Sequence, residues 1–315
     1  MIMDRVAGAP ISWGVCEVPG WGHQLGPEQV LPEMRAVGLV ATEFGPEGFL
    51  PRDPDAKAET LRAHGLSAVG GFVPVLLHDS ASDPLPAVDR ELDGFVTAGA
   101  GTLVLAAVSG LDGYDTRPEL DEAAWHTLFR NLDRIAERAR RRGVNAVLHP
   151  HVGTMVESRT DVERVLSGST VPLCLDTGHL LIGGTDPVEL AKAVPDRVTH
   201  THLKDVDVAL ADRVRAGEIT YSDAVRNGMY RPLGAGDIDI AAIITALEAN
   251  GYRGWYSMEQ DTILTGPPTG EGPVADVRAS VEYLRGLDRQ PCAQQDLPVS
   301  HHPVGHSQEG RKARR

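Results

Sequence analysis

Residues 145–151 read NAVLHPH, residues 171–176 read VPLCLD and residues 197–205 read RVTHTHLKD, and each of these apolar runs ends in side chains that can bind metals. A fourth run, GWYSME at residues 254–259, ends in a glutamate. The imidazoles and carboxylates at or just beyond these ends belong to His149, His151, Asp176, His179, His200, His202 and Glu259. Because one strand cannot surround an ion, such groups converging from several strand ends are typical of a divalent-metal site.

Short β-like runs alternate with longer helix-like segments along the chain, which predicts a mostly parallel sheet covered by helices. The eight runs are residues 6–12, 41–44, 67–74, 102–107, 145–149, 172–176, 197–204 and 255–259. Eight such units in about 285 residues match a (β/α)8 TIM barrel, whose active site lies at the carboxyl ends of the strands. A doubly wound open sheet is the alternative, but no GxGxxG motif follows the first run.

The strongest helical pattern lies at residues 119–142. Its apolar side chains recur at helical spacing and form one stripe, which consists of Ala124, Leu128, Leu132, Ile135 and Ala139. Gly143 follows as a stop signal, so the pattern predicts one long helix that ends there.

Two segments fall outside the alternation. Residues 207–236 are too long for an ordinary βα loop and are rich in charge and glycine, so we predict a lid or rim of the site. We expect a single catalytic domain over residues 1–287, followed by a disordered tail at 288–315 that lacks apolar periodicity. The tail contains a histidine tract that resembles a metal-binding sequence but that we interpret as solvated, namely His301, His302 and His306.

The composition narrows the class of protein. The chain has 44 acidic and 30 basic residues and a formal net charge of −14, which argues against sequence-independent binding to nucleic acids or anionic membranes. Cys16, Cys174 and Cys292 form no CxxC pair, so reduced thiols are expected. No apolar run approaches the ~18 residues that span a bilayer, and the first residues do not resemble a signal peptide. We therefore expect a cytoplasmic protein with neither nucleic-acid nor membrane partners.

The run at residues 197–205 carries polar groups on one face. Strand alternation places His200, His202 and Lys204 on the same side. An apolar core would not accept three such groups, so this face is predicted to belong to a functional site.

The other two strand ends leave alternatives open. Alternation groups His149 with His151, although Pro150 suggests that the strand ends between them. One of these histidines is expected to bind the metal, and the other to contact the substrate or a metal ligand. Asp176 suits either a metal ligand or the N-cap of a helix that begins at Thr177.

Several motifs resemble known enzymes. APISWGVCEVPGWG at residues 9–22 and TEFGPEGFLP at 42–51 resemble the inosose dehydratase family, which dehydrates 2-keto-myo-inositol in inositol catabolism. A wider resemblance links the chain to the sugar phosphate isomerase/epimerase superfamily of xylose isomerase-like TIM barrels. It rests on LDTGH at 175–179, HTHLKD at 200–205, PLGAGDID at 232–239 and EQD at 259–261.

The resemblance implies a divalent ion, most often Mn or Co, with Mg or Zn as alternatives, held by Glu, Asp, His and Glu at four strand ends. The matching positions are Asp176, His202 and Glu259, whereas His149 stands where the first glutamate is expected. An epimerase of this type uses two carboxylates to move a proton, so this departure favours dehydration. Because the glutamate is absent, the fourth metal ligand is expected to be His149 or His151.

The implied reaction removes an α-proton from a cyclic polyol ketone and expels a hydroxyl group. Glu259 or His149 is expected to take the proton, and Lys204 and His179 are candidates for the acid. The residues expected to contact the substrate are Trp13, Glu17, Glu43, His151, His200 and Arg231.

Two alternatives remain for the function. A sugar or sugar phosphate isomerase/epimerase would use the same barrel, but Arg231 and Lys204 are the only obvious cations for a phosphate, which favours an uncharged polyol. A non-catalytic sugar-binding barrel would keep the pocket without metal-dependent turnover. A homo-oligomer is compatible with each of these functions.

Overall fold

Eight parallel strands close into a barrel in the computed structural model, which describes residues 1–289. Neighbouring barrel strands follow the order of the chain, and the last pairs with the first. The predicted (β/α)8 fold is therefore confirmed. The barrel strands are β1 (Val6–Gly8), β2 (Ala41–Glu43), β3 (Ser67–Val75), β4 (Thr102–Ala107), β5 (Asn145–Leu148), β6 (Leu173–Asp176), β7 (Val198–Leu203) and β10 (Tyr256–Met258).

Helices pack around the barrel. They are α1 (Pro27–Ala36), α2 (Pro54–Ala63), α3 (Leu85–Ala98), α4 (Glu122–Arg141), α5 (Arg159–Gly168), α6 (Thr177–Ile182), α7 (Pro187–Ala193), α8 (Val208–Arg215), α9 (Tyr221–Arg226), α10 (Ile240–Ala249) and α11 (Val274–Arg289). The long helix predicted at 119–142 is α4. Its stripe of Leu128, Leu132 and Ile135 is fully buried, and Asp121 caps its first turn by accepting from the Ala124 amide.

Alternation along the strands separates two cores. The outward side chains, such as Leu103 and Leu105 of β4, pack under the helices in the main apolar core. The inward side chains are small in the lower barrel, where Val104, Val147 and Cys174 form a cluster of their own. Polar groups replace these apolar ones at the carboxyl ends, so the barrel has an apolar base and a polar upper end.

The first strand is shorter than the sequence predicted. It ends at Gly8, and residues Pro10–Trp13 form a 3-10 turn instead of continuing the strand. Pro10 explains the difference because it has no N–H to donate to a strand ladder. The turn redirects the chain across the upper end of the barrel.

The 207–236 segment is ordered around a small antiparallel sheet of β8 (Asp205–Val206) and β9 (Tyr230–Arg231), with α8 and α9 between the two strands. Asp205 anchors its base, since its buried carboxylate accepts from four backbone amides at 2.8–3.0 Å. The donors are the amides of Val206, Gly234, Gly236 and Ile238. A Cβ at Gly236 would lie 2.3 Å from Asp205 Oδ1, so this approach requires glycine.

The last helix continues two residues past the predicted domain boundary at 287, because α11 ends at Arg289. From residue 290 onward, the predicted tail lies outside the described residues, as do His301, His302 and His306. Within residues 1–289, no helix is both long enough and apolar enough to cross a membrane.

Asp205→Ala should lower the free energy of unfolding by about 3 kcal/mol or more, because it leaves buried amides without an acceptor. Chemical denaturation followed by circular dichroism measures this loss. Asp212→Ala is the control, since the Asp212 side chain is 53% exposed in a surface ion pair and its loss should cost less than about 0.5 kcal/mol. Equal losses in the two variants would contradict the anchoring role of Asp205.

Candidate functional site

Four strand ends bring their side chains together at the upper end of the barrel. His149, Asp176, His202 and Glu259 directly follow or terminate β5, β6, β7 and β10. Asp176 Oδ2 lies 3.2 Å from His149 Nε2 and 3.6 Å from His202 Nδ1, and the latter is 3.2 Å from Glu259 Oε2. Atoms bound to one ion by bonds of about 2.1 Å lie at comparable separations from each other.

Asp176 is the N-cap that the sequence allowed, and its geometry is also compatible with the metal-ligand role. Its Oδ2 faces the histidines, while its Oδ1 accepts from the His179 amide at 2.8 Å and caps α6. The two roles do not compete because they use different oxygens. The cap also fixes the carboxylate plane, so Oδ2 is held towards the cluster.

Glu43 holds two of the histidines from the other side. Its Oε1 lies 2.7 Å from His200 Nε2 and 2.9 Å from His202 Nε2. A carboxylate accepts hydrogen bonds, so Nε2 of each ring carries a proton, and Nδ1 of His202 faces Glu259 and Asp176. Metal-bound histidines commonly donate their remote N–H to such a carboxylate, which fixes the ring and raises its basicity. Glu43, predicted to contact substrate, thus also lies behind the cluster as a partner of His202.

His149 and His151 occupy different positions. His149 Nε2 reaches Asp176, whereas His151 Nδ1 lies 2.7 Å from the carbonyl oxygen of Val152. The His151 ring stacks on His179 at a centroid distance of 3.7 Å. The structure therefore brings His149, and not His151, to the carboxylate of the cluster.

The cluster has an excess of negative charge. Its buried or nearly buried ionisable groups, with side chains no more than 10% exposed, are the carboxylates of Glu43, Asp176, Glu259 and Asp261 and the ammonium of Lys204. Buried charges require partners, and four carboxylates face one ammonium and the His202 imidazole. Burial opposes the charged form of His202, but neighbouring groups that include Glu259 and Glu43 hold its pKa well above its ordinary value. A divalent cation suits the remaining negative charge, and it would bind the buried His202 Nδ1, which lies 3.2 Å from Glu259 Oε2 without a well-aligned hydrogen bond. The residues present thus fit a divalent-metal site.

Ionisation in the cluster follows its charges. Burial opposes the ionised form of Glu259, yet His202 and Lys204 lower the pKa of that carboxyl to about 2. Burial likewise opposes the charged form of Lys204, but Asp261 and Glu259 hold the pKa of its ammonium well above the usual range. Burial lowers the pKa of His149 despite its contact with Asp176. At neutral pH the site therefore presents a carboxylate, an ammonium and a neutral imidazole side by side.

A cavity opens above the cluster. It is lined by His149, His151, Lys204, Glu259 and Asp261, and by the rim residues Cys16, Glu17, Trp21, Phe72 and Tyr114. Tyr114 donates a hydrogen bond to Glu17 across the rim. Aromatic faces beside acidic acceptors suit a ring that carries neutral hydroxyl groups.

Three predicted substrate contacts do not line this cavity. His200 is fully buried, with its Nε2 donating to Glu43. Trp13 is fully buried, and its Nε1 donates to Glu33 at 2.7 Å. Arg231 pairs with Asp207 at 3.2 Å on the surface, with a side chain 44% exposed. The loop after β1 instead places Trp21 at the cavity. No local sequence pattern distinguishes Trp21 from Trp13 as the residue that faces the cavity.

Three residues at or near the site were not predicted from the sequence to belong to it, namely Tyr114, Tyr221 and Asp261. Asp261 lies two residues after Glu259, so strand alternation was a signal for it. Tyr114 and Tyr221 come from the β4–α4 loop and the 207–236 segment. Neither segment has a periodicity that indicates which side chains turn inward.

Comparisons with known proteins agree with the barrel fold. The xylose isomerase-like TIM barrel family matches residues 28–287. An inosose dehydratase from Geobacillus kaustophilus (strain HTA426) is 33% identical over 301 residues, which cover 90% of this chain and 94% of that protein. The rhizopine catabolism protein MocC of Rhizobium meliloti is 34% identical over 266 residues, covering 82% and 81%. The solved structure of the IolI protein with a bound zinc atom has a TM-score of 0.65 at 15% identity and covers 90% of this chain and 97% of that one.

Glu43→Ala should weaken divalent-metal binding about 10- to 100-fold, because His202 loses the acceptor that fixes its ring. Titration of the metal-free protein with Mn²⁺, followed by calorimetry, measures the change. Glu47→Ala is a matched control, since Glu47 lies four residues away in an exposed pair with Arg52. Unchanged Mn²⁺ affinity in Glu43→Ala would rule out this role.

Proposed function

Since the chain belongs to the xylose isomerase-like TIM barrel family, we propose that it is a hydro-lyase that removes water from 2-keto-myo-inositol or a closely related cyclic polyol ketone. The observation that carries this proposal is the likeness to inosose dehydratases over 90% of the chain. That likeness bears out the resemblance predicted from the motifs at residues 9–22 and 42–51. The geometry supports the same reaction, as set out below.

The metal is proposed to be held by His149, Asp176, His202 and Glu259. When bound, a divalent ion supplies Lewis-acid polarisation of the substrate ketone, which is worth several kcal/mol in reactions of this kind. Two imidazoles and two carboxylates suit Mn or Co, with Mg or Zn as alternatives. The zinc atom bound in the IolI neighbour supports a divalent ion in this chain.

Glu259 is the proposed acceptor of the α-proton. It lines the cavity with a side chain 10% exposed, whereas the His149 side chain is 2% exposed and turned towards Asp176. A low pKa keeps Glu259 ionised across the neutral range, so the carboxylate is free to accept the proton. His149, a neutral imidazole, is the alternative acceptor.

Lys204 is the proposed acid. Its Nζ lies 2.9 Å from Glu259 Oε2, so acceptor and donor stand side by side at the cavity floor. As the α-proton passes to Glu259, a double bond forms between the α- and β-carbons. The bond from the β-carbon to its hydroxyl breaks, and the departing oxygen takes a proton from Lys204 to leave as water.

His179 is suited to bind a substrate hydroxyl. The Val152 amide donates to its Nδ1 at 3.4 Å, so in the neutral ring Nε2 carries the proton. Burial lowers the pKa of His179 well below its ordinary value, which keeps the ring neutral. His179 is thus a hydrogen-bond donor, and Lys204 is the stronger candidate for the acid.

Dehydration fits the site better than epimerisation. An epimerase of this family type places a second carboxylate where this chain has His149. Among the cavity-lining residues of the described chain, Lys204 is the one lysine or arginine, and Arg231 lies on the surface. The cavity therefore suits an uncharged polyol better than a sugar phosphate.

Removing bound metal with a chelator should abolish dione formation from 2-keto-myo-inositol, and added Mn²⁺ or Co²⁺ should restore it. Product formation is followed by the absorbance of the conjugated product and by the loss of substrate in chromatography. Exchange of the α-proton with solvent deuterium without loss of water would indicate an epimerase instead. Binding without exchange or turnover would indicate a sugar-binding barrel.

Substitutions should separate metal binding from proton transfer. His202→Ala and Asp176→Asn should abolish metal retention, whereas Lys204→Met should retain metal and lower kcat about 10²- to 10⁴-fold, the usual contribution of an acid. Metal content by mass spectrometry and steady-state kinetics measure the two effects. Full metal content and full activity in Asp176→Asn would refute the proposed site.

A further inference from the structure

We propose that Asp261 and Tyr221 are positioning residues for Lys204: they draw its ammonium away from the metal-binding carboxylates and hold it where the departing hydroxyl would be. This inference rests on the proposed function, in which Lys204 is the acid. It assigns a task to the 207–236 segment, which supplies Tyr221.

A chain of hydrogen bonds runs from the inserted segment to the cluster. Tyr230 Oη lies 2.9 Å from Tyr221 Oη, and the Tyr221 hydroxyl donates to Asp261 Oδ2. The other oxygen of that carboxylate, Oδ1, accepts from Lys204 Nζ. Because Tyr221 gives its proton to Asp261, Tyr230 is the donor in the first contact.

Each member of this chain is buried. Tyr221 is 2% exposed, Tyr230 4%, Lys204 2% and Asp261 7%. A buried carboxylate with a single partner is unstable, and here each oxygen of Asp261 has its own donor. The geometry of Asp261 is therefore fixed from two sides, and the position of Lys204 is fixed with it.

Lys204 has competing partners. Its Nζ lies 2.9 Å from Glu259 Oε2 and 3.7 Å from Asp176 Oδ2, both of which belong to the proposed metal ligands. Without Asp261, these two carboxylates would be the charged groups left around the ammonium. The ammonium would then move towards the oxygens that the metal requires, and would compete with it.

Tyr221 is itself held by a second segment. Its backbone amide donates to Asp115 Oδ1 at 2.9 Å, and its ring lies 6.2 Å from Tyr114 and 6.3 Å from Trp21 between centroids. Two rim segments, the β4–α4 loop and the β1–α1 loop, therefore converge on Tyr221. Such support suits a residue whose hydroxyl must stay in one place.

The test compares Tyr221→Phe and Asp261→Asn in the full-length, metal-loaded protein. Tyr221→Phe should lower kcat about tenfold with KM almost unchanged, as expected for one lost hydrogen bond to a charged group. Asp261→Asn should lower kcat further and weaken Mn²⁺ binding about tenfold, because Lys204 turns to the ligand carboxylates. Tyr252→Phe is the control, since its buried hydroxyl accepts from Thr201 and donates to the Trp255 carbonyl away from the cavity. It should lower thermal stability and leave kcat unchanged.

A Lys204→Met background distinguishes positioning from packing. If Asp261 acts through Lys204, then Asp261→Asn should change neither the residual kcat nor the Mn²⁺ affinity of Lys204→Met. The proposal would be overturned if Asp261→Asn lowered kcat and Mn²⁺ affinity by the same factors in the wild-type and Lys204→Met proteins. It would also be overturned if Tyr221→Phe and Asp261→Asn each kept wild-type kcat and Mn²⁺ affinity. The Mn²⁺ titrations do not depend on turnover, so they decide the placement of Lys204 even if the wild-type protein fails to dehydrate the ketone. That failure alone would refute the proposed function.

Discussion

Lys204 Nζ lies within 3.7 Å of both Glu259 and Asp176, and this contact of one ammonium with two buried carboxylates constrains the whole upper end of the barrel. The attraction stabilises these carboxylates and Asp261 as anions, whereas Glu43 is paired with His200 and His202 instead. Desolvated charges of one sign destabilise a folded chain unless cations or hydrogen-bond donors compensate them. The histidines, the capped Asp176 and the tyrosine chain are all arranged around this requirement.

The same constraint explains why a histidine at position 149 matters. A further carboxylate there would add negative charge beside Asp176, whereas a buried imidazole adds none and stays neutral. One barrel can thus support different proton transfers when a single strand-end residue changes, because the strands fix positions and the side chains determine the chemistry. In this chain the proposed proton acceptor and acid are a carboxylate and an ammonium, rather than two carboxylates.

The sequence predicted what depends on local periodicity. Alternation placed His200, His202 and Lys204 on one face, and the ends of apolar runs located Asp176 and Glu259, because strand geometry repeats every two residues. Loops have no such period, so the sequence chose Trp13 where the structure turns Trp21 to the cavity.

The contribution of Tyr221 was not predictable for the same reason. Its hydroxyl donates to Asp261, and its amide donates to Asp115, more than a hundred positions earlier in the chain. Contacts of this range depend on how the finished barrel brings its loops together. Strand-end chemistry was therefore predictable, whereas the rim that completes it was not.

The four amides gathered by Asp205 tie both ends of the 207–236 segment to the barrel at one point. A segment fastened in this way at its base can change in length and sequence without disturbing the strands below it. The segment and the barrel are then separate structural units: the segment supplies rim residues such as Tyr221, and the strand ends supply the cluster. Grafting the segment between relatives, with the aspartate and its glycines retained, is a direct route to enzymes of altered scope.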